Sequence, residues 1–337
     1  FLDPDTNQTR FIQYQWFNEL DQYMVDLETE ETDQEYQNFI DNNLSNIPYY
    51  SCSQLANGES HGTHVAGIAT GKTQGWARKS NIYSIALSDF GGEFPNDKIF
   101  DYLRVFHKNK GTENPTVTNH SWGSPDWEIE LTSLSEIHSV FFRGQLFENS
   151  QGDWDEQYIE SNFGIQVFKI SGVPKLLKIP VFSNAIVADV EDAIKDGVIV
   201  VSAAGNSTSY SVPEGHVDYD NSIRIKGNPK IDGITRNNYD NTFYINRGRS
   251  PQNSPNIINV GSIGVESDFR KDWYSDYGPL VDVFAPGTSI MSSYPGNNTS
   301  TYASLPGTSM AAPQVVGIIA CFCTNKNDVN NHKAMQY

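Results

Sequence analysis

From residue 61 onward the chain alternates two kinds of apolar pattern. ESHGTHVAGIATG reads as a helix from His61, NIYSIAL (81–87) as a strand, NDKIFDYLRVFHK (96–108) as a helix and PTVTNHSW (115–122) as a strand. Further on, NAIVADVEDAIKDG sets Ile186, Val187, Val190, Ala193 and Ile194 on one helical face, with Ser183 or Asn184 as cap and Gly197 as stop. VIVVSAAGN follows as a continuous apolar strand, NIINVGSI and LVDVFAP predict two more, and a last helix opens at GTSMAAP. Continuous apolar strands alternating with helices predict an α/β fold: a mostly parallel central sheet covered by helices on both faces.

Two stretches interrupt this rhythm. Residues 124–182 are aromatic, polar and Gly-containing, and 207–250 carry turn signals such as Lys-Gly-Asn-Pro and Ile-Asp-Gly. Both are read as surface insertions in one domain spanning 1–337, because loops tolerate additions and cores do not. At 337 residues the chain is long enough for a single large α/β domain with insertions.

Charge narrows the partners. The net charge is −18, and residues 1–60 hold twelve Asp or Glu against the single Arg10. Such a chain lacks the basic surface that phosphate contacts need, so nucleic acid is not expected as a partner. No apolar run reaches the length of a membrane span. Three cysteines, Cys52, Cys321 and Cys323, are too few for a disulfide scaffold and are read as free thiols. FLDPDTNQTRF has neither the basic nor the long apolar region of a signal peptide, and the chain is expected to be an internal portion of a longer one.

Three short boxes carry candidate chemistry. His61-Gly62-Thr63-His64 by itself is ambiguous: zinc sites of the His-Glu-x-x-His kind need a Glu that is absent here, and two packed structural histidines are the ordinary alternative. In LPGTSMAAPQVVG, Ser309 falls in the first turn of a helix, where its N–H is not used by the helix and can donate to a developing oxyanion. Pro313 is expected near the helix start, where its missing donor costs little. The ordinary alternative for Ser309 is an N-cap. In VVSAAGNS, a buried strand runs into Asn206, whose amide is either a second oxyanion donor or a turn residue.

Taken together and in this order, HGTHVAG, SAAGN and GTSMAAP resemble the signature boxes of the subtilisin-like serine proteases, the subtilases. NHSWGS resembles the strand along one wall of the subtilase cleft, and NIINVGSIG with YSDYGPLVDVFAPGTSIMSSYPG resembles the approach to the nucleophile. The resemblance implies a subtilisin-like three-layer fold and a serine endopeptidase, with Ser309 as nucleophile, His61 as base and Asn206 in the oxyanion hole. It also implies that an extended protein or peptide substrate pairs along Ser121, Trp122 and Gly123, with Ala203, Ala204 and Gly205 lining the pocket for the side chain before the scissile bond. No cofactor is needed for the chemistry, and structural calcium is compatible with the many acids.

The runs TQGWARKSNIYSI, FDYLRVFHKNK and NPTVTNHSWGS are similar to the subtilases of marine T4-like bacteriophages, which implies a virion-associated or extracellular setting and other virion proteins as partners. The family's Asp box, Asp-Ser/Thr-Gly after an apolar strand, is missing between Phe1 and His61. Asp26 in QYMVDLETE is the best local candidate, and the expectation is that the catalytic Asp lies upstream of Phe1. The missing box also motivates the alternative of a catalytically silent subtilase fold serving as a structural component of a phage virion.

Overall fold

The computed structural model describes residues 3–8, 10–13, 60–85, 98–170, 173–235, 241–265, 268–296 and 299–323, with Asn325 and Ala334 besides. Four parallel strands form one sheet: β1 (Val117–His120), β2 (Ile199–Ala203), β3 (Ile258–Ile263) and β4 (Val283–Pro286), in the spatial order β4-β3-β2-β1. The helices follow in chain order as α1 (His61–Thr70), α2 (Lys98–Asn109), α3 (Glu156–Phe163), α4 (Asn184–Lys195) and α5 (Thr308–Phe322).

β2 explains the layering. All five of its residues are buried, and successive side chains point to opposite faces. Val200 packs with Ile99, Phe100 and Leu103 of α2 and with Ile186, Val190 and Ala193 of α4. Ile199, Val201 and Ala203 pack on the other side with Ala311, Ala312, Val316 and Ile319 of α5. Each fully buried Val or Ile contributes about 1.5–3 kcal/mol by leaving water, so a strand with no polar face is held only between two helical layers.

Helix ends follow their local chemistry. Ser183 caps α4, its Oγ accepting from the Ile186 N–H at 3.5 Å. The buried Arg10 donates to Thr70 O at 2.5 Å and to Ser80 O at 2.7 Å, placing the one cation of the acidic front at the carbonyl end of α1. The predicted strand 81–87 is present as Ile82–Ser84, paired in parallel with Phe11–Gln13.

The two interrupting stretches fold onto each other. One antiparallel sheet orders Thr242–Tyr244, Ser222–Ile225, Ile137–Phe142 and Gln145–Glu148; another orders Ile234–Thr235, Lys230–Ile231, Asp126–Leu131, Val173–Pro180 and Phe168–Ile170. Ile129, Leu131, Leu177 and Ile179 share one core with Val140, Ile223 and Phe243, and Ile159 and Phe163 of α3 join it. This core is separate from the two that flank the parallel sheet. Read as irregular from sequence, 207–250 in fact supplies strands to both sheets, which a local pattern cannot announce because Ser222–Ile225 finds its partner Ile137–Phe142 some eighty positions away.

The module's junctions with the parallel layer come together at one place. Ser124 N donates to Ser250 O at 2.7 Å, Ser250 N to Val181 O at 3.2 Å and Ser183 N to Ser250 Oγ at 2.8 Å.

Candidate active site

The start of α5 is built so that one backbone donor stays open. Its first intrahelical bond runs from Met310 N to Gly307 O at 2.9 Å, so the N–H groups of Thr308 and Ser309 precede it. Thr308 N donates to Asn206 Oδ1 at 2.9 Å, and its hydroxyl donates to the same oxygen at 2.9 Å. Of these two N–H groups, that of Ser309 is left for another acceptor, at the positive end of the helix. Gly307 has φ +140°, a backbone that L side chains rarely adopt, and its N–H is tied to Gly287 O at 2.8 Å.

Those bonds also orient Asn206. With Oδ1 accepting twice from Thr308, the amide must present Nδ2 outward, and Asn206 itself is exposed. The arrangement therefore sets two donors, Asn206 Nδ2 and Ser309 N–H, at the same helix start. Gly205 N in turn donates to Thr308 Oγ1 at 3.2 Å, which closes the loop between β2 and α5.

Pro313 lies inside α5 rather than at its edge, a correction to the sequence expectation. At the sixth helical position its missing N–H deprives Ser309 O, four residues back, of an intrahelical donor. Ser121 Oγ fills that place at 3.0 Å, while the Ser309 hydroxyl donates back to Ser121 O at a long 3.4 Å. The proline thus exchanges a helix bond for a tie between the serine turn and the segment that follows β1.

That segment is Ser121-Trp122-Gly123, and Gln252 holds it beside the end of β2. Buried Gln252 donates through Nε2 to Trp122 O at 2.9 Å and to Ala203 O at 2.8 Å. Ala203 and Ala204 are buried, and Ala204 N donates to Val260 O at 2.9 Å. A Cβ at Gly123 would meet Gln252 Oε1 at 2.8 Å, and one at Gly205 would meet Asp276 Oδ2 at 2.2 Å. The backs of both glycines are therefore filled.

The three nearby histidines differ in environment. His61 is exposed at the first position of α1; Val65, one turn on, packs with Met310, the neighbour of Ser309. His64 is fully buried, with Nε2 donating to Ala303 O at 2.9 Å, so it is a packing residue. His120 is buried at the end of β1, stacked on Phe100 at 4.9 Å and edge-on to Trp122 at 5.6 Å, and burial lowers its pKa to about 3. The Thr118 hydroxyl donates to Ile199 O, so it accepts from His120 Nε2 at 2.9 Å.

Asp26 and Cys52 lie outside the described residues. Cys321 and Cys323 are free thiols, the first exposed and the second buried, where burial raises its pKa. Thr308, Gln252, Arg249, Asp126 and Asp276 all touch the candidate site and were missed by sequence reasoning. Thr308 sits inside a box and Asp276 inside the stretch resembling the approach to the nucleophile, but neither had a role assigned; Gln252, Arg249 and Asp126 lie outside both.

A serine at a helix start, an asparagine amide held beside it and an edge segment alongside, all carried by a parallel sheet between helical layers, define a subtilisin-like α/β protein. The chain belongs to the subtilase family, whose model matches residues 19–337. It is 27% identical over 270 residues to the subtilisin-like proteinase Mp1 of Magnaporthiopsis poae, covering 80% of this chain and 45% of that protein. To alkaline protease 1 of Aspergillus clavatus it is 28% identical over 258 residues, covering 77% and 41%. The chain thus spans less than half the length of these relatives. A crystal structure of a cold adapted subtilisin-like serine proteinase aligns with a TM-score of 0.46 and 20% identity, covering 82% of this chain and 66% of that one.

Proposed function

We propose that the protein is a serine endopeptidase. The observation that carries this reading is the double acceptance of Thr308 donors by Asn206 Oδ1, which leaves Nδ2 and the Ser309 N–H to face one developing negative charge. His61 removes the proton of Ser309 Oγ as that oxygen attacks a peptide carbonyl. The tetrahedral oxyanion is held by Asn206 and the Ser309 N–H. His61 then gives the proton to the leaving amine, and water hydrolyses the acyl-enzyme. A catalytic Asp orients His61 in this mechanism; Asp26, the local candidate, lies outside the described residues. The substrate is an extended peptide pairing with Ser121-Trp122-Gly123, its side chain directed between that segment and Ala203-Ala204-Gly205.

The chemistry as read needs no cofactor, and structural calcium remains compatible with the many acids. Among the described residues no helix is long and apolar enough to cross a membrane. The three phage-like runs support a virion-associated or extracellular setting with other virion proteins as partners, and detection of the protein in purified particles tests it.

A fluorophosphonate probe applied to the full-length protein should label Ser309, and Ser309→Ala should abolish labelling and lower peptide turnover by roughly four orders of magnitude or more. Labelling that persists in Ser309→Ala removes the assignment. The absent Asp-Ser/Thr-Gly box favours one other reading, a silent subtilase fold in a virion; a full-length protein that neither labels nor cleaves peptides would establish it.

A further inference from the structure

The residue after Asn206 is gripped by three charged side chains to which the resemblance assigned no role. Ser207 N–H donates to Asp276 Oδ1 at 2.8 Å, and Ser207 Oγ donates to Asp126 Oδ2 at 2.7 Å. Arg249 Nη2 donates to Ser207 Oγ at 3.0 Å while pairing with Asp126 Oδ1 at 2.9 Å and Asp276 Oδ2 at 3.3 Å. On the other side of Asn206, Asp276 N donates to Gly205 O at 2.9 Å. The three charged side chains are 11%, 9% and 3% exposed for Arg249, Asp126 and Asp276.

Two features make this more than packing. First, one guanidinium and two carboxylates taken out of water are a costly way to fill space, and apolar residues of similar volume often hold a fold as well. Second, the network joins three parts of the chain. Asp126 opens the first strand of the antiparallel module, Arg249 lies where the module returns to the parallel layer, and Asp276 lies between β3 and β4. All three close on the loop that carries Asn206, whose own side chain is fixed only by Thr308.

We propose that Arg249 and Asp126 are positioning residues that hold Ser207, and through it the Asn206 amide, in the orientation that donates to the oxyanion. The inserted module is by this route coupled to turnover. The inference rests on the endopeptidase reading and adds to it residues that touch neither substrate nor nucleophile. An oxyanion donor acts by being fixed before the charge develops, so a loosened Ser207 lowers kcat while leaving ground-state binding nearly untouched.

The test is a double-mutant cycle on the full-length protein, with active enzyme counted by fluorophosphonate titration so that misfolded material does not enter kcat. Arg249→Met should lower kcat by about tenfold or more with KM within about twofold, and Arg249→Lys should recover part of the loss because it keeps a charge without the fork. In an Asn206→Ala background the same Arg249→Met should cost less than about twofold, since the amide through which it acts is gone. Equal losses in both backgrounds overturn the proposal, as does a raised KM with kcat unchanged. If Arg249→Met fails to fold, Ser207→Ala, which removes one hydroxyl from the same network, is carried through the cycle and must show the same dependence on Asn206. If Asn206→Ala alone leaves turnover at the wild-type level, the oxyanion reading itself fails, and this inference with it.

Discussion

The parallel layer and the inserted module solve the same problem in opposite ways. Strand β2 buries every side chain, between α2 and α4 on one face and α5 on the other; of these only α4, ending at Lys195 before β2 begins at Ile199, is close to it in sequence. The module has sheets buried on one side, built by pairing its two stretches, Ser222 with Phe141 and Lys230 with Glu130. Its strands are amphipathic: Ile129 and Leu131 face the core, while Glu128 and Glu130 pair across neighbouring strands with Lys178 and Lys230. A two-sided burial announces itself in sequence as a continuous apolar run. A one-sided burial assembled from two distant insertions does not.

The most severe way to probe the contrast is to hollow each core. Ile258→Ala in the parallel layer and Ile129→Ala in the module should each cost about 2–5 kcal/mol by denaturant titration. Their hydrogen-exchange patterns should separate them: Ile129→Ala should release 126–131, 137–142 and 222–225 together, before 199–203 exchanges. If 137–142 stays protected while 126–131 opens, the two insertions do not share one cooperative core.

Glycines sharpen the comparison at lower amplitude. Gly205 has φ +117° and its added Cβ would fall 2.2 Å from Asp276 Oδ2, whereas Gly233 in the module has φ +78° with nothing within 4 Å. Gly205→Ala should cost about 2–4 kcal/mol and lower turnover, against about 1 kcal/mol and unchanged turnover for Gly233→Ala. Equal costs at the two sites would show that the Asn206 loop is no more constrained than a module turn.

Acid should act on the parallel layer through His120. Its folded pKa, about 3, lies below its unfolded value, so the unfolded chain binds the extra proton, and the stability present above about pH 6.5 is lost as pH falls toward 3. The expected loss approaches about 1.4 kcal/mol per pH unit, about 2 kcal/mol by pH 5. His120→Phe keeps the stack on Phe100 and should remove that slope; an unchanged slope assigns the acid sensitivity to carboxylates instead. The smallest effect belongs to the module's surface, where Lys230→Ala should change stability by about 0–1 kcal/mol and leave turnover untouched, checked by thermal melts and peptide assay.

The site was legible to the extent that its residues sit in boxes with local geometry of their own. Ser309 at the start of an apolar helix and Asn206 at the end of an apolar strand were readable, because strand-to-loop and loop-to-helix transitions are short-range events. The helix Asn184–Lys195 was readable for the same reason, and of the two caps the sequence offered, Ser183 or Asn184, the structure uses Ser183. Pro313 was placed too near the helix edge, because the helix already runs from Thr308, five residues before it. Gln252 and Arg249 gave no sign, and Asp276, within the stretch resembling the approach to the nucleophile, gave no role: a buried amide or ion pair is defined by what it faces, and their partners lie 27 to 130 positions away.

By itself the sequence determined an α/β chain of the subtilase family, the order of the parallel strands' flanking helices, and three boxes whose residue types suit acyl transfer. Hydrophobic period and backbone-specific residues such as Gly and Pro act over a few positions, and that is the range at which a chain can be read unaided. Only the tertiary structure decided that the two insertions make one module with a core of its own, that Ser121 replaces the donor Pro313 removes, and that Arg249 with two aspartates closes on the residue after Asn206. Each of these depends on which distant segments share a dry interior, and there an unpaired polar group is costly enough that its partner, once brought near, becomes part of the site.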